Sequence, residues 1–476
     1  MKITADAYND LLSFVSKTLL PLLGLKGDRN DFQKVDESTK ISNQSSYNMV
    51  CFSDSKLYFG NAKTFYFYIS LNSLPSEGTL PLAESVLASF FAVCEFNYQS
   101  AGKSNRYLSA FQKEATYQYA VQKGICRICF GKDDERIDSL FDALETWSQK
   151  TYEGHKVPFG FVVDPALTDN HDSPYGSFID FLNDDYSATL SDCIDSVILL
   201  DSHCSFSRYL SITEKGEIPS CKLTNQLPIR FNQTIAQYVT EQRVGVFLLT
   251  NGDLIISRNQ AIAFVKRNRK WLNFSYKAFE NVVTSYLKRF SVSPSLLSAI
   301  FASAVDVSFS HTGGIIAVVD EAVSLTEKGH HNEDPILHFC DCISNHLSLD
   351  ETKRRFDEQN IQFKKENKPN SCVRDSDITK RLLKRKMIMD LTGESSFEDL
   401  DRRLRSDLIG LDGACILDKE GKPCAFGAII QNDSGSSGGG RGAAAKKLSK
   451  LGMALKISAD GYIELYIDDT LRYAIK

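Results

Sequence analysis

The stretch of chain with the least freedom in its fold lies between Leu411 and Ile467. Four short apolar runs occur there: Leu411–Asp418 (LDGACILD), Ala425–Ile430 (AFGAII), Ala454–Ser458 and Tyr462–Ile467. Each has strand length, and the dipeptides Glu420-Gly421 and Asp460-Gly461 mark turns between neighbouring runs. Between the second and third runs stands Ser434–Gly442 (SGSSGGGRG). It passes directly into Ala443–Leu451 (AAAKKLSKL), which is helical by propensity. The order is therefore strand, strand, glycine-rich loop, helix, strand, strand. An apolar run with a glycine entry, Gly313–Asp320 (GGIIAVVD), precedes the set.

This order places an anion site. Free amides at a helix N-terminus attract negative charge, and glycines let a phosphate approach the backbone. Ser436, Ser437, Gly438, Gly439, Gly440, Arg441 and Gly442 stand just before the helix, with Lys446 and Lys447 in its first turns. Taken alone, the same string reads as a flexible Gly/Ser linker. Asp412 upstream and Asp460 downstream tip the balance toward a nucleotide site, although an Asp before Gly is also a common turn former.

From Ser291 to Lys476 the chain resembles the diadenylate cyclase (DAC) domain, the N-terminal domain of the DNA-integrity scanning cyclases. The resemblance rests on Asp412, Gly413 and Ala414, which match the family's Asp-Gly-Ala motif at a strand start. The strand Gly313–Val319, the strand Ala425–Ile430 and the segment Ile457, Ser458, Ala459, Asp460 are similar to further family elements. One motif departs: where the family carries Arg-His-Arg before an alanine-bearing helix, this chain has Gly440, Arg441 and Gly442. The resemblance implies that ATP or another nucleoside triphosphate binds, and that Mg2+ or Mn2+ is held by Asp412 and Asp460. It implies phosphate contacts from Ser436 to Gly442 and Ser458. It also implies a homodimer or higher homo-oligomer that condenses two nucleotides into a cyclic dinucleotide. With two family cations missing, the alternative is a sensor that keeps the fold and the binding loop without the reaction.

Upstream, both periodicities occur. Leu12, Val15, Leu19 and Leu22 have helical spacing. Leu57–Leu71 reads as a hairpin, Leu80–Phe96 and Ile137–Lys150 as helices, and Ile125–Phe130 (ICRICF) and Val157–Val163 as strands. Turn residues crowd Asp164–Gly176, which is taken as a boundary. Beyond it, Ser196–Asp201 and Val244–Phe264 are strand-rich, with a turn at Asn251-Gly252. The expected fold class is multidomain α/β (α+β). An N-terminal α/β domain covers 1–170, a strand-rich middle domain covers 171–288, and a DAC-like domain with a mixed central sheet flanked by helices covers 289–476. A charged insert sits near 345–385.

Composition limits the partners. The chain has 476 residues, 55 Lys plus Arg, 60 Asp plus Glu and a formal charge of −5, which argues against a nucleic-acid polymer and leaves room for a local anion site. No apolar run reaches 18 residues, so no membrane span is expected. The 12 cysteines are irregularly spaced in a long chain with no secretory signal, which suits a reducing, cytoplasmic setting. Three weaker features remain. Lys266–Phe274 (KRNRKWLNF) sets a basic run beside Trp271, readable as a phosphate surface or as a charged edge strand. Cys126 and Cys129 form a CxxC that reads as buried small hydrophobes. His338, Cys342 and His346 share a helical face where zinc is chemically possible, though packing is the simpler reading.

Overall fold

A computed structural model of the chain describes residues 5–476 apart from 26, 28, 36–48, 62–63, 72–74, 76–77, 101–109, 132–134, 153, 168–177, 184–195, 212–226, 229–238, 241, 321–348, 367–374, 394 and 431–438. Two compact units result, Met1–Ser285 with Ile475–Lys476, and Tyr286–Ala474.

In the first unit, α1 (Ala5–Phe14) continues through a π-helical turn, Val15–Leu19, to Leu22. Its apolar stripe works as the spacing predicts, since Leu12, Val15, Leu19 and Leu22 are all buried. Strands β1 (Gln33–Lys34), β2 (Val50–Ser53), β3 (Lys56–Asn61) and β4 (Thr64–Ser70) form an antiparallel sheet in the order β1-β4-β3-β2. The expected hairpin is β3–β4. Helices α2 (Thr79–Ser100), α3 (Ala110–Phe130) and α4 (Glu135–Trp147) follow.

Ile125–Phe130 is therefore the end of a helix and not a strand. The local alternation of ICRICF is overridden by a longer period, because Val121, Ile125 and Cys129 fall four apart and all are buried. Packing against α2 decides the matter. A β-carbon on Gly124 would stand 2.6 Å from the Val86 Cα, so glycine admits a close helix crossing, and Ser85 Oγ donates to the Gly124 carbonyl at 2.9 Å.

A two-stranded ribbon, β5 (Thr151–Tyr152) with β6 (His155–Lys156), leads to β7 (Phe159–Val163), α5 (Phe178–Asn183), β8 (Ser196–Leu200) and β9 (Phe206–Ser211). Then come β10 (Val244–Leu248), β11 (Leu254–Arg258), β12 (Ala261–Arg267), β13 (Lys270–Asn273) and α6 (Tyr276–Tyr286). Seven of these strands make one sheet, β13-β12-β11-β10-β7-β8-β9, in which only β7 and β8 run parallel. Side chains of β7, β8 and β10–β13 share one core with α1–α4 and the four-stranded sheet. The expected boundary at 170–171 thus falls between two paired strands. Common burial, and not the turn-rich composition of 164–176, decides which segments belong together.

The second unit opens on α7 (Pro294–Ser310). Ser293 caps it by accepting from the Leu296 amide at 3.1 Å, with Pro294 at the first helical position. Next come β14 (Gly314–Val319), the helices α8 (Leu349–Lys365), α9 (Asp375–Thr392) and α10 (Arg402–Gly410), and then β15 (Ala414–Asp418) and β16 (Pro423–Ala428). Helix α11 (Gly439–Ser449) and strands β17 (Gly452–Ile457), β18 (Ile463–Ile467) and β19 (Thr470–Ile475) close the chain. The sheet order is β16-β15-β14-β17-β18-β19, with β14 parallel to β15 and antiparallel to β17. The expected mixed sheet flanked by helices is present. One sheet face sets five alanines, Ala317, Ala414, Ala425, Ala428 and Ala454, among larger residues such as Ile315, Val319 and Ile416, against Ala444, Ala445 and Leu448 of α11. That is why an alanine-rich segment forms this helix: small facing side chains let it lie close on the sheet. Among the described residues, no helix is long and apolar enough to cross a membrane.

A buried ion pair joins α10 to α7. Arg402 grips Asp306 through Nε (2.6 Å) and Nη2 (2.9 Å). Arg402→Met takes the bidentate guanidinium from the buried Asp306 carboxylate and should cost about 3–5 kcal/mol in urea denaturation, whereas Arg402→Met with Asp306→Leu should cost distinctly less. In the first unit, burial pushes the Cys94 and Cys129 thiols and the Tyr117 phenol up to about 12, well above their ordinary ranges. The folded state holds these protons after the unfolded chain would release them. Stability is therefore full below about pH 9 and declines as pH rises toward 12, which denaturation midpoints taken between about pH 7 and 11 will show.

Candidate functional site

Strand register brings most of the expected site residues to one edge of the second unit's sheet. Gly314 at the start of β14 pairs with Ile457 at the end of β17. On its other side, Ile315 pairs with Ala414 at the start of β15, and Ala414 pairs with Ala428 at the end of β16. The segments just outside these pairs are Thr312-Gly313, Asp412-Gly413, Ser458–Asp460 and Ile429-Ile430. All four therefore open on the same edge.

Glycines hold this edge tight. Gly413, at φ 116°, has its β-carbon direction blocked by the backbone of Gly427 and by the Ala428 amide nitrogen at 2.7 Å. Gly427, at φ 55°, has its own blocked by Lys384, whose Nζ donates to the Gly427 carbonyl at 2.7 Å. The Asp412 carboxylate is thus carried, exposed, on a backbone interlocked with β16. Gly313, at φ 70°, lies directly under Nη1 of Arg441, with the Ala459 amide nitrogen and the Ile457 carbonyl oxygen each 3.2 Å from where a β-carbon would be. The left-handed backbone there favours glycine, and a side chain would displace the guanidinium.

The turn after β17 is fixed from two directions. The Ser458 hydroxyl accepts from the Tyr462 amide at 3.1 Å, closing the turn while its own proton stays available for donation. His311 is the left-handed C-cap of α7, and its Nδ1 lies 3.0 Å from the Ala459 carbonyl oxygen. Ser308 Oγ donates to the Gly461 carbonyl. Asp460 is exposed at the tip.

Helix α11 begins at Gly439, four residues before the expected start, so Gly439, Gly440, Arg441 and Gly442 supply the free amides of its first turn. Gly440 and Gly442 face open space. Arg441 makes no ion pair with the described residues. Lys446 and Lys447 lie in the last turn and complement the C-terminal end of the helix dipole, remote from the edge. Ser436, Ser437 and Gly438 fall outside the described residues.

Asp412 and Asp460 belong to segments on opposite sides of β14, so their backbones stand about 10 Å apart across two strand spacings. Among the described residues, no group of three His, Cys, Asp or Glu side chains gathers as a metal site. Lys384 is the residue that sequence reasoning missed. It lies in a cation-rich helix where nothing local distinguishes it from its neighbours.

The remaining candidates resolve simply. Trp271 is 4% exposed and packs edge-on against Phe141 at 5.6 Å, so it offers no stacking face. Arg267 is buried against Asp253, with Nε 2.8 Å from Oδ2. β13 is an edge strand, as the charged run allowed. Cys126 and Cys129 are buried in α3, and the Cys129 thiol is pushed up by burial. His338, Cys342 and His346 lie outside the described residues.

Two substitutions separate packing from display. Gly313→Ala puts a methyl group against Arg441 in a left-handed conformation and should destabilise by about 1–3 kcal/mol. Arg441→Ala should stay within about 0.5 kcal/mol of the parent in the same urea titration. Comparison of the chain with protein-family models, with characterised proteins and with solved structures gives no match.

Proposed function

We propose that the second unit binds a nucleoside triphosphate at this sheet edge, in the manner of the DAC domain it resembles, and that the chain uses the bound nucleotide as a sensor. The observation that carries the reading is the Arg441 guanidinium laid on Gly313 at the amino end of α11. It joins a forked donor, the free amides of a helix start and a side-chain-free surface at one point, which is the chemistry a phosphate requires. The polar turn Ser458–Asp460 lies beside it.

Charge decides between sensing and catalysis. Transfer of a nucleotidyl group needs compensation of the charge that develops on the α-phosphate and the departing pyrophosphate. Gly440 and Gly442 flank Arg441 where the resembled family has cations. One guanidinium with backbone amides suits holding a triphosphate better than activating one.

Exposed Asp412 favours a second reading, a nucleotidyltransferase. In it two copies of the unit face each other. The 3′-hydroxyl oxygen of one nucleotide attacks the α-phosphorus of the other, pyrophosphate leaves with the bonding electrons, and the hydroxyl proton passes to a base. Repetition gives a cyclic dinucleotide. Mg2+ or Mn2+ suits this site, because Mg2+ takes one or two carboxylates and fills its shell with phosphate oxygens and water. Asp412 would hold the ion, which would supply positive charge to the phosphates, and Asp460 would add a carboxylate across β14.

Equilibrium dialysis of the full chain with radiolabelled ATP and GTP, in magnesium and in manganese, tests the binding. Affinity is expected to fall at least about tenfold in Arg441→Ala. Chromatography of the same mixtures should show no new product. A dinucleotide that disappears with Asp412→Asn would establish the transferase instead, and absence of binding by the parent chain would overturn both readings.

A further inference from the structure

The first unit contains a polar cavity of about 530 Å³. That is within the range of small-molecule sites, roughly 300–1,000 Å³. Sheet connectivity builds it. The β10–β11 turn at Asn251-Gly252 and the β12–β13 turn at Asn268-Arg269 lie at the same end of the sheet, because Leu254 pairs with Lys266. Leu248 pairs with Phe159, which brings Lys156 of β6 to that end as well. The carboxyl end of α4 and the residues after it, Glu145 to Gln149, close the remaining side.

The wall is rigid before any ligand arrives. Arg267, 1% exposed, pairs beneath it with Asp253. The Asp253 amide donates to Asn251 Oδ1 at 2.9 Å, and Asn251 Nδ2 donates to Asp253 Oδ2 at 3.1 Å. Leu248 and Leu254, both buried, give it an apolar patch.

Charge at the mouth is unbalanced. Of the acids in the lining, Asp253 is committed to Arg267, and Glu145 pairs with Lys266. Lys156 and Arg269 are exposed and make no ion pair with the described residues. They come from separate elements, β6 and the β12–β13 turn, so a ligand between them meets a cation on either side. Asn268 in the β12–β13 turn adds an exposed amide to the lining.

From the geometry we infer that this cavity binds a small phosphorylated metabolite: a dianionic phosphate ester held between Lys156 and Arg269, with a hydroxyl-bearing organic part reaching the Asn268 amide and the apolar wall. The inference is independent of the nucleotide reading of the second unit, since it uses none of that unit's residues.

Thermal unfolding of the full chain with ribose 5-phosphate as the probe tests it, followed by calorimetric titration. A saturable rise in midpoint is expected, with affinity at least about tenfold lower in the Lys156→Ala/Arg269→Ala double variant. Both side chains are exposed, and Lys156→Arg with Arg269→Lys, which keeps the charges, should retain binding. Arg441→Ala should bind ribose 5-phosphate as the parent does, which separates this cavity from the nucleotide edge. No saturable effect of ribose 5-phosphate on the parent would overturn the inference. An undiminished effect in the double variant, or loss of it in Arg441→Ala, would overturn it too.

Discussion

The register of β14 between β15 and β17 governs the second unit. All six residues of β14 are buried, and it is parallel to one neighbour and antiparallel to the other. A parallel neighbour starts at the same edge, and an antiparallel neighbour ends there. Asp412 and the Ser458–Asp460 turn meet at one edge for that reason alone. A slip of a single residue would turn every side chain of β14 to the other face and undo the small-residue seat of α11.

Much of this was legible from residue order. The continuous apolar run in Gly313–Asp320 read as a buried strand because strands covered on both faces lose their alternation. The Asp460-Gly461 turn, the Asn251-Gly252 turn and the β3–β4 hairpin were readable from turn chemistry. ICRICF was misread because six residues cannot distinguish a period of two from one of 3.6, and the helix that buries Val121, Ile125 and Cys129 is set by a partner elsewhere in the chain. The boundary at 170–171 failed similarly: turn residues mark where a chain bends, and β7 and β8 bend back into one sheet.

The site divides along the same line. Asp412 and Arg441 could be picked out because each sits in a local pattern of glycines. Lys384 reaches Gly427 across 43 residues, and His311 reaches Ala459 across 148. No local pattern foretells such contacts. Basic residues near Trp271 taught the converse. A run of cations beside an aromatic looked like an anion surface, yet burial commits Arg267 to Asp253 and Trp271 to the core. Arg269 of that run stays exposed, and the cation it is proposed to act with, Lys156, stands more than a hundred residues away, so the pair forms no local motif.

The interlock of Gly413 with Gly427 has a consequence for how chains of this kind can change. Gly413 has its β-carbon direction filled by the backbone of Gly427, while Gly427 has its own filled by Lys384 and the Asp412 carbonyl oxygen, and both hold left-handed backbone. The dependence therefore runs in sequence, from α9 through β16 to the Asp412 segment. A change at Lys384 can loosen Gly427 without touching Gly413, whereas a side chain at 413 must push on β16 itself.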